Sequence, residues 1–590
     1  MIGGMTAMEK GYTVEENAQI LISLMKKHGV RKVVASPGAT NVCFVASIQQ
    51  DPYFEVYSSV DERSAAYIAC GLAEESGEAV ALSCTGATAS RNYVSGLTEA
   101  YYRKIPILAI TSTQFTGRVG HNIPQVIDRS ASMNDIQRLS VELPVIYSAE
   151  EEWLCCVKAN EALLELKHHG GGPVHVNLTT TYSNEYSCKE LPEVRFIDRI
   201  CVDGTFPKLS GEKIAIIVGA HSKWEDRLTK LVDKFCEKYN AVVLCDHTSN
   251  YTGNYGVLAN LITNQELYRP DCQSMDVLIH LGNVSGAYMT LYPDKVWRVN
   301  PDGEICDTFK KLEYVFEMKE ETFFNYYVAH APNSSKNVTY AEEWKKEREK
   351  ILSKIPDLPF SNIWIAQQMS KELPENSVLH LAILNSLRSW NLFDMAKSIR
   401  GYSNTGGFGI DGCVSSLIGA SLANPEILYF GIIGDLAFFY DLNSIGNRHV
   451  GNNVRLLIIN NGKGTEFRNY NHNAAKFGND ADKYIAAAGH FGNKSSVLLK
   501  HYAEDLGFKY CSAATKEEFL SNIEFFVSNK HYDKSILFEV FTSSENESDA
   551  LKLVSRIDMG ENPQTNVAKK IVKSILGESG VKTIKKIINK

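Results

Sequence analysis

Apolar positions along the chain fall into short runs of two alternating kinds. Residues 14–27 repeat apolar side chains at helical spacing, and residues 62–73 form a second helical stretch rich in small side chains. Around them lie brief uninterrupted apolar runs at 32–35, 79–83 and 107–111, the length and composition of buried strands. Ser36-Pro37-Gly38 breaks the first of these. The strand-like runs return at 213–219, 241–244 and 277–281, and again at 428–433 and 456–459, with a helical stretch over 413–423. Strands alternating with helices at this spacing predict parallel sheets covered by helices, so the chain reads as α/β throughout.

Polar, charge-rich stretches near 186–212 and 331–360 divide the pattern into three regions, 11–190, 205–345 and 360–545, each long enough to enclose its own core. The first and third share one crude alternation, as if a single fold were used twice. A tail, 546–590, follows. In it Lys569, Lys570, Lys573, Lys582, Lys585, Lys586 and Lys590 stand against Ile571, Ile575, Ile584 and Ile588, a basic amphipathic helical pattern. A solvated helix packed on its own protein or on another subunit is the preferred reading over contact with a membrane surface.

Composition narrows the function classes. Hydrophobic residues make up 44% and charged residues 22%, with a formal net charge of -8, so nothing draws the whole chain to nucleic acid or to an anionic membrane. The 13 cysteines are scattered without CxxC spacing, which argues against a disulfide framework and against a zinc site. No stretch approaches about 18 uninterrupted apolar residues, and the opening residues lack an apolar core of signal-peptide type. A cytoplasmic protein is expected.

Three polar constellations interrupt the pattern. Gly434-Asp435 and Asn460-Asn461 each follow a strongly apolar strand, and ligands of open parallel sheets bind at the carboxyl ends of strands. A carboxylate and an amide oxygen make a hard site of the kind magnesium takes, although strand-end turns use the same residues for conformational reasons. Glu62 opens the small-residue helix, a place where a surface glutamate is also favoured. Asn404-Thr405-Gly406-Gly407-Phe408-Gly409-Ile410-Asp411-Gly412 is a glycine-rich loop whose backbone can approach a ligand closely.

Together these elements resemble the thiamine-diphosphate-dependent decarboxylase and carboligase family. The resemblance covers nearly the whole chain to about residue 545 and includes Ser36-Pro37-Gly38-Ala39-Thr40-Asn41, Thr85-Gly86-Ala87-Thr88 and Pro124-Gln125. Within that family, Asn385-Ser386-Leu387, Gly409-Ile410-Asp411-Gly412, Gly434-Asp435-Leu436 and Asp441-Leu442-Asn443 look like the menaquinone-pathway synthase subgroup that joins 2-oxoglutarate to isochorismate. The resemblance implies three doubly wound parallel-sheet domains: a pyrimidine-binding domain over 11–190, a central domain over 205–345 and a diphosphate-binding domain over 360–545. A helical tail follows them.

It also implies site residues. Asp435 and Asn461 would bind magnesium or another divalent cation by their side chains, and Lys463 by its backbone carbonyl. Ser386 and the Gly434-Asp435-Leu436 backbone would contact the diphosphate of thiamine diphosphate, while Ile410, beside Gly409, would wedge beneath the cofactor. Glu62 would hydrogen-bond the aminopyrimidine, whose imino nitrogen then serves as a base held beside the reacting carbon. The implied reaction is decarboxylation of a 2-oxo acid with transfer of the acyl carbanion to an acceptor. It would run in a homodimer or homotetramer with active sites between subunits. Gln125 is the preferred polar contact to the reacting species and His121 a candidate proton donor. Lys463 and Arg468 could meet a substrate carboxylate.

The subgroup grips carboxylates with arginines, the natural bidentate partners. Here Thr40, Trp390 and Thr405 stand at three of those motif positions, although Arg388 lies two residues before Trp390. Thr40, Asn41, Arg388, Trp390 and Thr405 are therefore expected to line a more neutral substrate pocket and to select a different acceptor. The menaquinone reaction itself, an acetolactate-type synthase, a simple 2-oxo-acid decarboxylase and a non-catalytic cofactor-binding homologue are the alternatives.

Overall fold

The computed structural model describes residues 11–129, 133–332, 339–490 and 494–559. The lysine–isoleucine pattern of the tail lies outside the described residues. Parallel strands alternate with helices along the whole described chain, giving three parallel-sheet α/β domains. They divide into two compact units, one of Met1–Thr205 with Asp302–Glu317, the other of Phe206–Pro301 with Met318–Lys590.

The first unit is built on six strands: β1 (Lys32–Ala35), β2 (Glu55–Ser58), β3 (Val80–Thr85), β4 (Ile107–Thr113), β5 (Leu139–Leu143) and β6 (Val174–Thr179). They lie in the order β2-β1-β3-β4-β6-β5, every neighbouring pair parallel. Successive side chains of a strand point to opposite faces, and both faces here are covered. Val33, Ala81, Leu108 and Ile110 share one buried cluster with the helices Glu16–Lys27 and Ala149–Glu165. Val34, Val80, Leu82, Ile107 and Ala109 share another with Glu62–Ser76 and Val94–Arg103. A strand buried on both faces reads as a continuous apolar run, which is why these segments showed no polar alternation.

β7 (Asp198–Cys201) pairs in parallel with β13 (Leu312–Glu317), also within the first unit. β7 falls inside a stretch expected to be a polar linker; Ile200 is the one buried residue of the strand, too little to register as a period. The second unit begins with β8 (Ile214–Val218), β9 (Ala241–Cys245), β10 (Gly256–Leu258), β11 (Ser274–Leu281) and β12 (Tyr292–Asn300), in the order β10-β9-β8-β11-β12.

The rest of the second unit carries β14 (Val378–Leu381), β15 (Arg400–Tyr402), β16 (Tyr429–Gly434), β17 (Val454–Asn460), β18 (Lys509–Ala513) and β19 (Ile536–Phe541). Their order is β15-β14-β16-β17-β19-β18, again all parallel. Counted within each sheet, this is the strand order of the first unit, so the repeated alternation in the sequence reflects one topology used twice. In each sheet the chain leaves the first strand to one side and returns for the third on the other. The crevice between those strands' carboxyl ends is the topological switch point.

The helix Glu62–Ser76 follows β2 and carries Glu62 at its first position. Asp61 caps it by accepting from the Ser64 N–H at 3.2 Å, and Gly77 ends it in the left-handed region at φ 67. Its buried face is all small: Ala65, Ala66, Ala69, Cys70 and Ala73. That lets Val94–Arg103 approach until a methyl group on Gly96 would collide with the Ala66 Cβ. Gly96→Ala should therefore push this helix pair apart and cost about 1–3 kcal/mol of stability. A thermal midpoint unchanged from the parent would show that the pair tolerates the methyl.

Candidate cofactor and active site

The third sheet delivers its polar loops to one place because β16 and β17 are neighbours in register, with Gly434 opposite Ile459. Gly434 ends β16 and Asp435 begins the short helix Asp435–Tyr440. The Gly462 N–H donates to Asp435 Oδ2 at 3.0 Å, which draws the loop after β17 onto the one after β16. Burial pushes the Asp435 carboxyl up to about 7, against the pull of backbone N–H groups from Leu436, Gly462, Asp435 and Asn461. Asn461 Oδ1 is buried and has no hydrogen-bond partner among the described residues. Asn460 is committed elsewhere, its Nδ2 donating to Glu539 Oε1 at 2.6 Å.

A buried carboxylate without a counter-charge and a buried amide oxygen without a donor are both relieved by a hard cation, so the donor set fits one. The space beyond is open: a Cβ placed on Gly434 would meet nothing within 4 Å.

The loop after β14 reaches the same crevice. Ser386 is buried in the helix Asn385–Trp390, and its Oγ accepts from Asn362 Nδ2 at 3.3 Å. Leu384, just ahead of that helix, has φ 65, a conformation that favours glycine and marks local strain. Phe408, beside Gly409 and Ile410, shows the same departure at φ 55. Ile410 is half-buried against the core of this sheet, and Leu436 is half-buried as well.

Other predicted residues have different surroundings. Trp390 is fully buried with its indole N–H donating to Asn362 Oδ1 at 3.2 Å, so it offers no aromatic wall to a ligand. Thr405 is buried, its N–H donating to the Ser403 carbonyl at 2.9 Å. Arg388 pairs with Glu466 and lies 5.4 Å from the centre of the Tyr288 ring. Lys463 and Arg468 meet the two oxygens of Asp482 at 2.8 and 2.6 Å. A cavity of about 530 Å3 opens beside the helix Asn385–Trp390, lined among others by Asn385, Arg388, Ser389, Glu466, Asn469 and Glu547. Sequence reasoning missed Glu466 and Glu547. Burial pushes Glu547 up to about 7, although Thr542 Oγ1 and the Asn362 N–H both donate to it. Nothing in the polar run around residue 547 distinguishes it from a solvated helix.

In the first unit Thr40 and Asn41 sit at the switch point but serve the loops themselves. Thr40 Oγ1 donates to the Ser112 carbonyl at 2.7 Å and also meets Thr85 Oγ1. Asn41 Nδ2 donates to the Ser36 carbonyl at 3.0 Å and to Ser83 Oγ at 3.2 Å. Glu62 is half-buried and accepts from Asn92 Nδ2 at 3.1 Å. His121 and Gln125 are exposed, Gln125 at φ 63.

Residues 16–132 match the thiamine pyrophosphate enzyme family at its N-terminal TPP binding domain. The 2-succinyl-5-enolpyruvyl-6-hydroxy-3-cyclohexene-1-carboxylate synthase of Bacteroides thetaiotaomicron is 31% identical over 567 residues, covering 92% of this chain and 98% of that protein. The synthase of the same description from Bacteroides fragilis is 30% identical, with the same coverage. The chain belongs to the thiamine pyrophosphate enzyme family. Within it, these synthases are its relatives over almost their full length. A solved thiamine diphosphate-dependent 4-hydroxybenzoylformate decarboxylase from Rhodococcus jostii RHA1 is 18% identical with a TM-score of 0.39, covering 89% of this chain and 99% of that one. None of the described helices is long and apolar enough to cross a membrane.

Because Asn461 Oδ1 has no partner to lose, Asn461→Ala should leave the thermal midpoint of the unliganded protein nearly unchanged. Calorimetry with magnesium should show at least about ten-fold weaker binding of thiamine diphosphate. Unaltered binding would remove Asn461 from the site.

Proposed function

We propose that this thiamine pyrophosphate enzyme decarboxylates a 2-oxo acid and transfers the acyl unit to an acceptor other than isochorismate. The observation that carries the cofactor half of this reading lies at the carboxyl ends of β16 and β17: the buried carboxylate of Asp435, without a counter-charge, beside the buried amide oxygen of Asn461, without a donor. In this reading they hold magnesium with the Lys463 carbonyl. Ser386, Gly434 and Leu436 hold the diphosphate, and Gly409 and Ile410 support the rings. Thiamine diphosphate supplies the electron sink that decarboxylation of a 2-oxo acid requires. Glu62 holds a proton against the aminopyrimidine, and its single described partner, Asn92, leaves its other oxygen for that bond. Gln125 and His121 are assigned to the substrate side.

The substrate half rests on charge. Thr40, Trp390 and Thr405 occupy positions where the resembled subgroup carries arginine, and all three are buried. The guanidinium that remains nearby, Arg388, is already matched by Glu466. Most of the side chains lining the neighbouring cavity carry an amide or a hydroxyl, a lining suited to an uncharged polyhydroxyl or aldehyde acceptor rather than a dicarboxylate. The second reading is the reaction named in its relatives, 2-succinyl-5-enolpyruvyl-6-hydroxy-3-cyclohexene-1-carboxylate synthesis, and identity over 92% of the chain favours it.

One assay separates them. Carbon dioxide release is measured with pyruvate, 2-oxoglutarate and phosphonopyruvate, each with magnesium, with and without thiamine diphosphate, and with and without isochorismate. The expected result is cofactor-dependent release from one acid that isochorismate does not accelerate. Acceleration of 2-oxoglutarate decarboxylation by isochorismate, with formation of the adduct, establishes the second reading instead. Glu62→Gln should lower kcat by about a hundred-fold or more while cofactor binding stays within a few-fold. Turnover equal to the parent would overturn the role given to Glu62.

The proposal includes a homo-oligomer in which Glu62 of one subunit serves the diphosphate domain of another. Val60, Tyr67 and Ile68 expose apolar surface around Glu62, as do Leu422 and Tyr440 near the Asp435 loop, and such surface is suited to burial between copies. Co-expressed Glu62→Gln and Asp435→Asn chains should then recover about a quarter of parental activity, because half of randomly assembled dimers hold one intact site. No recovery above the separate variants would mean that both residues act within one chain.

A further inference from the structure

A second constellation lies in the first unit, at the opposite edge of the β1–β6 sheet from Glu62 and Thr40. The 3-10 turn His168–Gly170 precedes β6 and therefore sits at the amino edge of that sheet. Nε2 of His168 is 3.0 Å from Glu317 Oε2, and Nε2 of His169 is 3.0 Å from Glu317 Oε1. The three ligand atoms all fall within 4.8 Å of one another. Adjacent residues seldom aim their side chains at one point. Here they do because His169 adopts a left-handed backbone at φ 48, which stacks the two rings with centroids 3.6 Å apart.

Two details distinguish this from a simple ion pair. His168 Nε2 is buried and makes no hydrogen bond among the described residues despite its closeness to Glu317, the geometry of two donors facing a shared third point. Behind it, His168 Nδ1 is 2.8 Å from Glu165 Oε2. A carboxylate in that position fixes the tautomer and ring orientation of a metal-ligating histidine. Cys201, at the end of β7, places its Sγ 4.0 Å from Glu317 Oε2.

The ligand set itself balances a dication: the Glu317 carboxylate and a Cys201 thiolate carry two negative charges, while the neighbouring Glu165 is paired with Arg138 at 3.4 Å and Arg199 lies 3.8 Å from an oxygen of each glutamate.

We propose that His168, His169 and Glu317 bind a zinc-class divalent cation with Cys201 as the fourth donor, tying the turn before β6 to the ends of β7 and β13. Nitrogen, oxygen and sulfur donors in tetrahedral number select such a cation over magnesium, so this site differs in kind from the oxygen site at Asp435. The cysteine spacing argued against zinc because the ligands come from three distant segments and two of them are histidines.

The full chain, stripped of metal, is dialysed against zinc in excess magnesium and its metal content measured. One zinc per chain is expected, with that equivalent lost in the His168→Gln, His169→Gln double variant. Glu165→Gln should weaken binding roughly ten- to hundred-fold without abolishing it. Cobalt in place of zinc should give intense tetrahedral absorption with a sulfur-to-metal band that disappears in Cys201→Ala. Absence of bound zinc, or equal zinc in the double variant, overturns the site. If the double variant does not fold, the parental cobalt spectrum decides, and weak six-coordinate absorption overturns the proposal. A sulfur band that survives Cys201→Ala overturns the assignment of the fourth donor.

Discussion

Two buried oxygens without a partner charge govern the candidate site. Removing a carboxylate from water is costly unless something neutralises it, and the Asp435 carboxyl is accordingly pushed up to about 7. Asn461 Oδ1 carries the neutral version of the same penalty. A fold keeps such groups only where the surroundings over-determine them. Here β16 and β17 lie side by side, the Gly462 N–H clamps one loop to the other, and strained Leu384 and Phe408 fix the flanking loops. The site is therefore organised ahead of its ligands, and the free energy of binding is not consumed in assembling it.

The same strand order frames a different arrangement in the first unit. Its switch point is closed by its own groups: Thr40 binds Ser112 and Thr85, and Asn41 binds Ser36 and Ser83. Polar atoms satisfied in this way hold loops in place but have little left to offer a ligand. The helix after β2 carries Glu62, which keeps one described partner and is flanked by exposed apolar side chains. One topology thus carries a crevice whose Thr40 and Asn41 side chains are engaged, and another that holds a buried carboxylate without a counter-charge.

Much of this was legible in the sequence because strands buried on both faces must be continuously apolar. Each strand expected from an apolar run is present to within three residues at either end, and 32–35 is reproduced as Lys32–Ala35. Asp435 and Asn461 were legible because they interrupt such runs at their carboxyl ends, the place where a parallel sheet binds ligands. Residue type alone could not say which way a side chain points. Trp390 lies one position after Ser389, which lines the cavity, yet helical geometry turns it into the core. Glu466 and Glu547 were not legible at all, because a glutamate on a polar segment looks the same whether it faces water or a cavity.

The charge state of that cavity bears on what can enter it. Arg388 is compensated by Glu466 and partly covered by Tyr288, so it adds no net positive charge. Burial pushes the Glu547 carboxyl up to about 7, toward the neutral form that offers a hydrogen-bond donor rather than a negative charge. In the proposed reading, an anionic acceptor in this space would lose its hydration with the Arg388 guanidinium already paired to Glu466, a cost that a hydroxyl-bearing neutral molecule does not meet. In the proposed reading, Thr40, Trp390 and Thr405, at positions where the resembled subgroup carries arginine, and the internal pairing of Arg388 act in the same direction, against a carboxylate-bearing acceptor.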